Sequence, residues 1–144
     1  MKIIKELMTD KSHSCGCNES IEQASEKMSR AKLNSLVVLN EKEVVVGTLS
    51  YLDVCMASIQ TKKTGSEIKV AEIMSTNTFT ISTHDDETLA LNLMRQFHIN
   101  TLPVVDEENK LKGTIRFITL ARRIISFRKK FKLPTLNSFH PELA

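Results

Sequence analysis

The chain has 144 residues, 41 % hydrophobic and 26 % charged, with four glycines, three prolines, no tryptophan and a formal net charge of +3. That balance excludes a disordered, collagen-like or disulfide-stapled chain, and a chain of this size buries roughly two thirds of its unfolded surface. So small a positive excess argues against nucleic acid as a partner, since a binding face would have to be a local basic cluster.

Met1–Asp10, "MKIIKELMTD", carries charges where a signal peptide has its apolar core. No run reaches the ~18 apolar residues of a membrane helix, so a cytoplasmic protein with no membrane span is expected. "SHSCGCN" then reads as an opening strand. After "NES", Ile21, Ala24, Met28 and Ala31 recur at helical spacing. "SLVVLN", the turn "EKE" and "VVVGTLS" predict a hairpin, and a helix follows from about Tyr51 to Ile59. "QTKKTGSE", residues 60–67, reads as a linker.

The series then runs again. An opening strand contains Thr78, Phe79 and Ile81, and "HDDET" starts a helix with Ala90, Leu93, Met94 and Phe97 on one face. "TLPVVD", "EENK" and "KLKGTIR" predict a second hairpin. A last helix runs from about Ile118 to Phe131, where Pro134 forbids extension. Gly47 and Gly113 stand sixty-six residues apart, and the same offset places Glu6 on Glu72, Met8 on Met74, Met28 on Met94, Asn34 on Asn100 and Thr48 on Thr114.

With "IKELMT" and "VAEIMS" opening the copies, "LPVVDE" in the second and "GTLSYLD" in the first, the chain from about Ile3 to Ile125 resembles a tandem pair of cystathionine-β-synthase (CBS) domains. The resemblance implies an α/β (α+β) fold of two β-α-β-β-α repeats, packed sheet to sheet about a pseudo-twofold axis. Repeats are expected over residues 1–63 and 64–133, with a tail at 134–144. It also implies clefts for adenosine-containing ligands, and pairing of two such modules into a disc.

In "GTLSYLD" a strand hands over to a helix, so N–H groups and the helix dipole favour a phosphate near Ser50. Members of the family use this hydroxyl for phosphate and the aspartate three residues on for ribose; Ser50 and Asp53 occupy those positions. Ser-x-x-Asp at a helix start is also close to a capping box, and one residue pair can serve both purposes. The resemblance adds Thr78, Phe79 and Ile81 to the cleft over Asp53, with adenine against Ile81 and Leu36. Taken one by one, those apolar residues are better suited to plain core. In the second copy Arg116 replaces the hydroxyl and Thr119 the aspartate, so that cleft is not expected to hold ribose in the family's way. Arg116 offers a phosphate or a partner's carboxylate a cation; alternatively it is a solvated arginine, with Thr119 as helix N-cap.

Other constellations carry less. His13, Cys15 and Cys17 would share a strand face, but their counterparts Phe79 and Ile81 are apolar, so core rather than metal is expected there. Asp85 and Asp86 sit where a helix needs an N-cap. His84, His98 and His140 have no nucleophile nearby, and no catalytic set is found. "ARRIISFRKKFK" could present Ile124, Ile125, Phe127 and Phe131 on one side of a basic helix, either packed on the module or turned to an acidic partner, nucleic acid or a membrane surface. The reading is a regulatory module for AMP, ADP, ATP, S-adenosylmethionine or NAD, homodimeric, without catalysis or required cofactor, and with a possible regulated protein partner. The alternative is an interaction or nucleic-acid adaptor acting through the basic helix.

Overall fold

Ser20 and Asp86 start the two long helices. Ser20 Oγ accepts from the Gln23 N–H while Gln23 returns the bond to the Ser20 N–H, and Asp86 Oδ1 accepts from the N–H groups of Thr88 and Leu89. The helices end alike, at Lys32 (φ 53°) and His98 (φ 54°) in the left-handed region. A computed structural model describes residues 2–10 and 13–131, the side chain of Phe131 excepted. His140, Pro134 and the expected tail at 134–144 lie outside the described residues.

In chain order the first repeat holds β1 (Ser14–Gly16), α1 (Ile21–Ala31), β2 (Ser35–Leu39), β3 (Val45–Ser50) and α2 (Tyr51–Gln60). A short α3 (Val70–Ile73) leads into β4 (Ile81–Ser82), α4 (Glu87–Phe97), β5 (Thr101–Val105), β6 (Leu111–Arg116) and α5 (Phe117–Phe131). Each repeat forms a three-stranded sheet, β1-β2-β3 and β4-β5-β6, with the opening strand parallel to the middle one and the hairpin antiparallel. The opening strand of the second repeat is shorter than its sequence suggests. Parallel pairing begins only at Ile81 opposite Val104, so Thr78 and Phe79 precede it in irregular backbone.

The two repeats obey one symmetry. The Val45 N–H donates to the Asn109 carbonyl and the Leu111 N–H to the Glu43 carbonyl, both at 3.2 Å, and these bonds interchange under the sixty-six-residue offset. Glu43 and Asn109 also share a left-handed backbone, at φ 62° and 61°. Beside this seam Val37, Val45, Val105 and Leu111 form a core between the sheets, while helices cover the outer faces. That is why "LVV" in β2 and "LPVV" in β5 are continuous apolar runs rather than alternating ones.

The openings of the repeats are exchanged. Ile4, in a 3₁₀ turn at Ile4–Glu6, is fully buried in the second repeat's core with Ile81, Met94 and Ile115, whereas Ile68 and Val70 are buried in the first repeat's core. Thr9 pairs with Thr114 through both backbone N–H groups, and Ser75 pairs likewise with Thr48. At these crossings the incoming backbone passes over Gly113 and Gly47, where a Cβ would collide with the Thr9 and Ser75 carbonyl oxygens.

α5 divides its apolar residues. Leu120 is buried and Ile124 half-buried, but Ile125 and Phe127 stand exposed, so the single apolar side expected of this helix is not formed. The reason for Ile125 is angular: at about 100° per residue it lies one step off the Leu120–Ile124 ridge, whereas Phe127, three residues past Ile124, continues that ridge with half of its surface exposed. Arg123 stays on the packed side by donating from Nε and Nη2 to the carboxylate of Glu87 in α4, at 2.8 and 3.4 Å.

Candidate functional site

Both strand-to-helix junctions open on one cleft of about 500 Å³. It is lined by Leu33, Asn34, Ser35 and Ser50 of the first repeat and by their offset counterparts Ile99, Asn100, Thr101 and Arg116 of the second, so it straddles the pseudo-twofold axis. Clefts that take small ligands span roughly 300–1,000 Å³. Thr48, Ile99 and Thr101 also line a smaller recess of about 190 Å³, closed by Thr78, Phe79, Phe97 and Pro103, in which the Phe79 and Phe97 rings stack at 4.0 Å.

At the first junction the capping box is present. The Asp53 N–H donates to Ser50 Oγ (3.2 Å), and Asp53 Oδ2 accepts from the Ser50 N–H (2.8 Å). The Tyr51 N–H is taken by the Asn34 carbonyl (3.0 Å), as the Phe117 N–H is by the Asn100 carbonyl (2.8 Å). Ser50 borders the axial cleft; Asp53, half-buried, sits at the third position of α2. Thr119 holds the same third position in α5, so it is not the N-cap. That place falls to Arg116, because α5 begins at Phe117.

The remaining sequence candidates separate. Thr78 and Phe79 line the recess, whereas Leu36 and Ile81, each 2 % exposed, lie in the two cores. Cys15 is core, and burial pushes its thiol up to about 12, which leaves it inert as a nucleophile. Among the described residues no three His, Cys, Asp or Glu side chains are placed to hold a metal ion, and no helix is long and apolar enough to cross a membrane.

Two cleft residues escaped the sequence reading. His98 arrives as the left-handed cap of α4, and His13 reaches across to Thr114, its Nδ1 3.3 Å from Thr114 Oγ1, which also meets Thr9 Oγ1 at 2.8 Å. The offset pairing of Asn34 with Asn100 was the one available signal for this wall. Burial first, then the Arg116 charge, lowers the His13 pKa from 6.5, with Asp10 opposing. A histidine whose folded pKa is depressed binds protons more readily when unfolded. Its contribution is therefore complete above pH 6.5 and declines as pH falls from there toward the folded pKa. His13→Gln is expected to flatten that limb, and urea midpoints at pH 7.5 and 5.5 check it: an equal acid loss in both proteins would place His13 outside the effect.

A family model described as the CBS domain matches the chain twice, over residues 4–59 and 70–126. The homoserine O-acetyltransferase of Methanocorpusculum labreanum is 30% identical over 118 residues, covering 82% of this chain and 23% of that protein, so the chain spans about a quarter of such a relative. Among solved structures, the CBS domain pair of protein MJ0100 in complex with 5′-methylthioadenosine and S-adenosyl-L-methionine matches at a TM-score of 0.77 and 22% identity, over 88% of this chain and 98% of that one. CBSX2 in complex with AMP matches at 0.76 and 20%, over 89% and 99%. At these identities the likeness is one of fold.

Proposed function

The chain belongs to the CBS-domain family as a tandem pair of its repeats, and from that premise we propose that it is a regulatory module binding an adenosine-containing nucleotide, with no chemistry of its own. The observation that carries this reading is that the Ser50 cleft and the Phe79 recess adjoin, sharing Thr48, Ile99 and Thr101 in their walls. A flat apolar recess beside a polar cleft at a helix start suits a base at one end and a phosphate at the other. Asp53 would take the ribose diol. Its Oδ2 is held by the Ser50 N–H, while Oδ1 accepts nothing from the described residues, so capping and ribose binding are compatible. Thr119 lacks a carboxylate, and one nucleotide per chain follows. Relatives solved with S-adenosyl-L-methionine or AMP support the ligand class.

A thermal-shift panel of AMP, ADP, ATP, S-adenosylmethionine and NAD tests it, because a ligand selective for the folded state stabilises by RT ln(1 + [L]/Kd). A flat response to all five at millimolar concentration would remove the proposal.

A homodimer is part of the same reading. α2 leaves Leu52, Met56 and Ile59 exposed, and α5 leaves Ile118, Ile125 and Phe127 exposed; Leu52 and Ile59 reach 69% and 78%. Apolar faces of this kind are normally covered. Light scattering at micromolar concentration is expected to return twice the chain mass, and a monomer mass would count against it. The rival, an adaptor acting through the basic residues of α5, predicts binding to nucleic acid or anionic vesicles that falls steeply with salt.

A further inference from the structure

We propose that the axial cleft is a polyphosphate subsite centred on Arg116, so that the module prefers nucleoside di- and triphosphates to the monophosphate. The inference rests on the nucleotide reading above and assigns its phosphate specificity.

Three observations carry it. The α2 start has few backbone donors left for a phosphate: the Tyr51 N–H is bound to Asn34, the Asp53 N–H to Ser50 Oγ, and the Ser50 N–H to Asp53. Among the described residues that leaves the Leu52 N–H and the Ser50 hydroxyl proton, which suffice for one phosphate group and not for a chain. Second, the cleft wall opposite Ser50 is basic. Arg116, His13 and His98 line it, and among the described residues no aspartate or glutamate does. Third, Arg116 stands at the pseudo-symmetric counterpart of Ser50 in the same cavity, so a chain starting at Ser50 and crossing the axis runs toward it. A guanidinium fork pairs with two phosphate oxygens at once, a geometry that lysine does not reproduce.

Burial, and after it the Arg116 charge, holds the His13 pKa down against Asp10, so the lasting positive charge of this wall is that of Arg116.

Calorimetry with AMP, ADP, ATP and inorganic tripolyphosphate, without added divalent cation, tests the assignment on the full chain, Arg116→Ala and Arg116→Lys. ATP is expected to bind about tenfold or more tighter than AMP, with Arg116→Ala removing most of that gain, Arg116→Lys restoring part of it, and AMP affinity little changed. AMP binding as tightly as ATP, or Arg116→Ala weakening both equally, would overturn the subsite while leaving the nucleotide reading intact. Tripolyphosphate binding through Arg116 without any nucleotide binding would uphold the subsite and remove the nucleotide reading. Silence from all four probes would overturn both. Circular dichroism melts of the variants separate a lost subsite from a lost fold.

Discussion

Gly113→Ala is expected to lower the unfolding midpoint by roughly 10 °C, on the order of 3 kcal/mol, the upper end of what overpacking costs. A Cβ at this position would overlap the Thr9 carbonyl oxygen and press on Met8 Sδ at 3.2 Å. The first obstacle is backbone, so relief requires the opening segment to lift. Lifting breaks the Thr9–Thr114 backbone pair and draws on Ile4, a fully buried member of the second core. Gly47→Ala meets Met74 Sδ and the Ser75 carbonyl oxygen, both at 2.8 Å, and should cost less because part of the obstruction is a flexible thioether. Gly16→Ala is the control: its nearest neighbours are Glu19 side-chain atoms at 3.6 Å or more, and a change within about 0.5 kcal/mol is expected. Thermal melts of the three variants give the order. If Gly113→Ala melted alongside Gly16→Ala, the exchanged opening segment would not be docked as described.

Asp53→Ala is expected to weaken nucleotide binding on the order of tenfold to a hundredfold, the worth of charge-assisted hydrogen bonds to a ribose diol. The same substitution removes half of the capping box that Asp53 makes with Ser50, which lowers folding stability by about 1 kcal/mol with or without ligand. The two effects have different readouts. Calorimetry reports the first and a ligand-free denaturation midpoint the second. Thr119→Ala, at the same place in the second repeat, should leave affinity almost unchanged. Unchanged affinity in Asp53→Ala together with a lowered midpoint would make Ser50 and Asp53 a helix cap and nothing more.

The local elements were legible because their signals are local. Ile21, Ala24 and Met28 mark a buried helix face by spacing alone, and Asp86 caps α4 as its position before the apolar stripe predicts. Both hairpins follow from short branched runs around polar turns. α5 departs in part from the expected single apolar side, since counting apolar residues in "RRIISFRKKF" does not say at which angle the helix packs; Ile125 falls off the Leu120–Ile124 ridge and is 66% exposed. The Arg116 and Thr119 pair speaks in the sequence only against the family's ribose contact at the second junction, and leaves Arg116 as a cation for a phosphate or a partner's carboxylate or as a solvated arginine. In the fold Arg116 shares a cleft with Ser50, so the substitution adds a cation to a common cavity.

The sequence by itself determined the duplication, the order of elements within each copy and the family, because a sixty-six-residue offset and helix and strand periods are properties of the chain alone. It also marked Gly47 and Gly113 without giving a reason for them. Only the tertiary structure supplied that reason, by crossing each repeat's opening backbone over the other repeat's glycine. It decided too that His13, His98, Ser50 and Arg116 meet in one place. The bond between His13 and Thr114 spans 101 residues, and neither neighbour sequence carries any trace of it. Such contacts are fixed by burying two sheets against each other about an axis, and that axis exists only once both copies have folded.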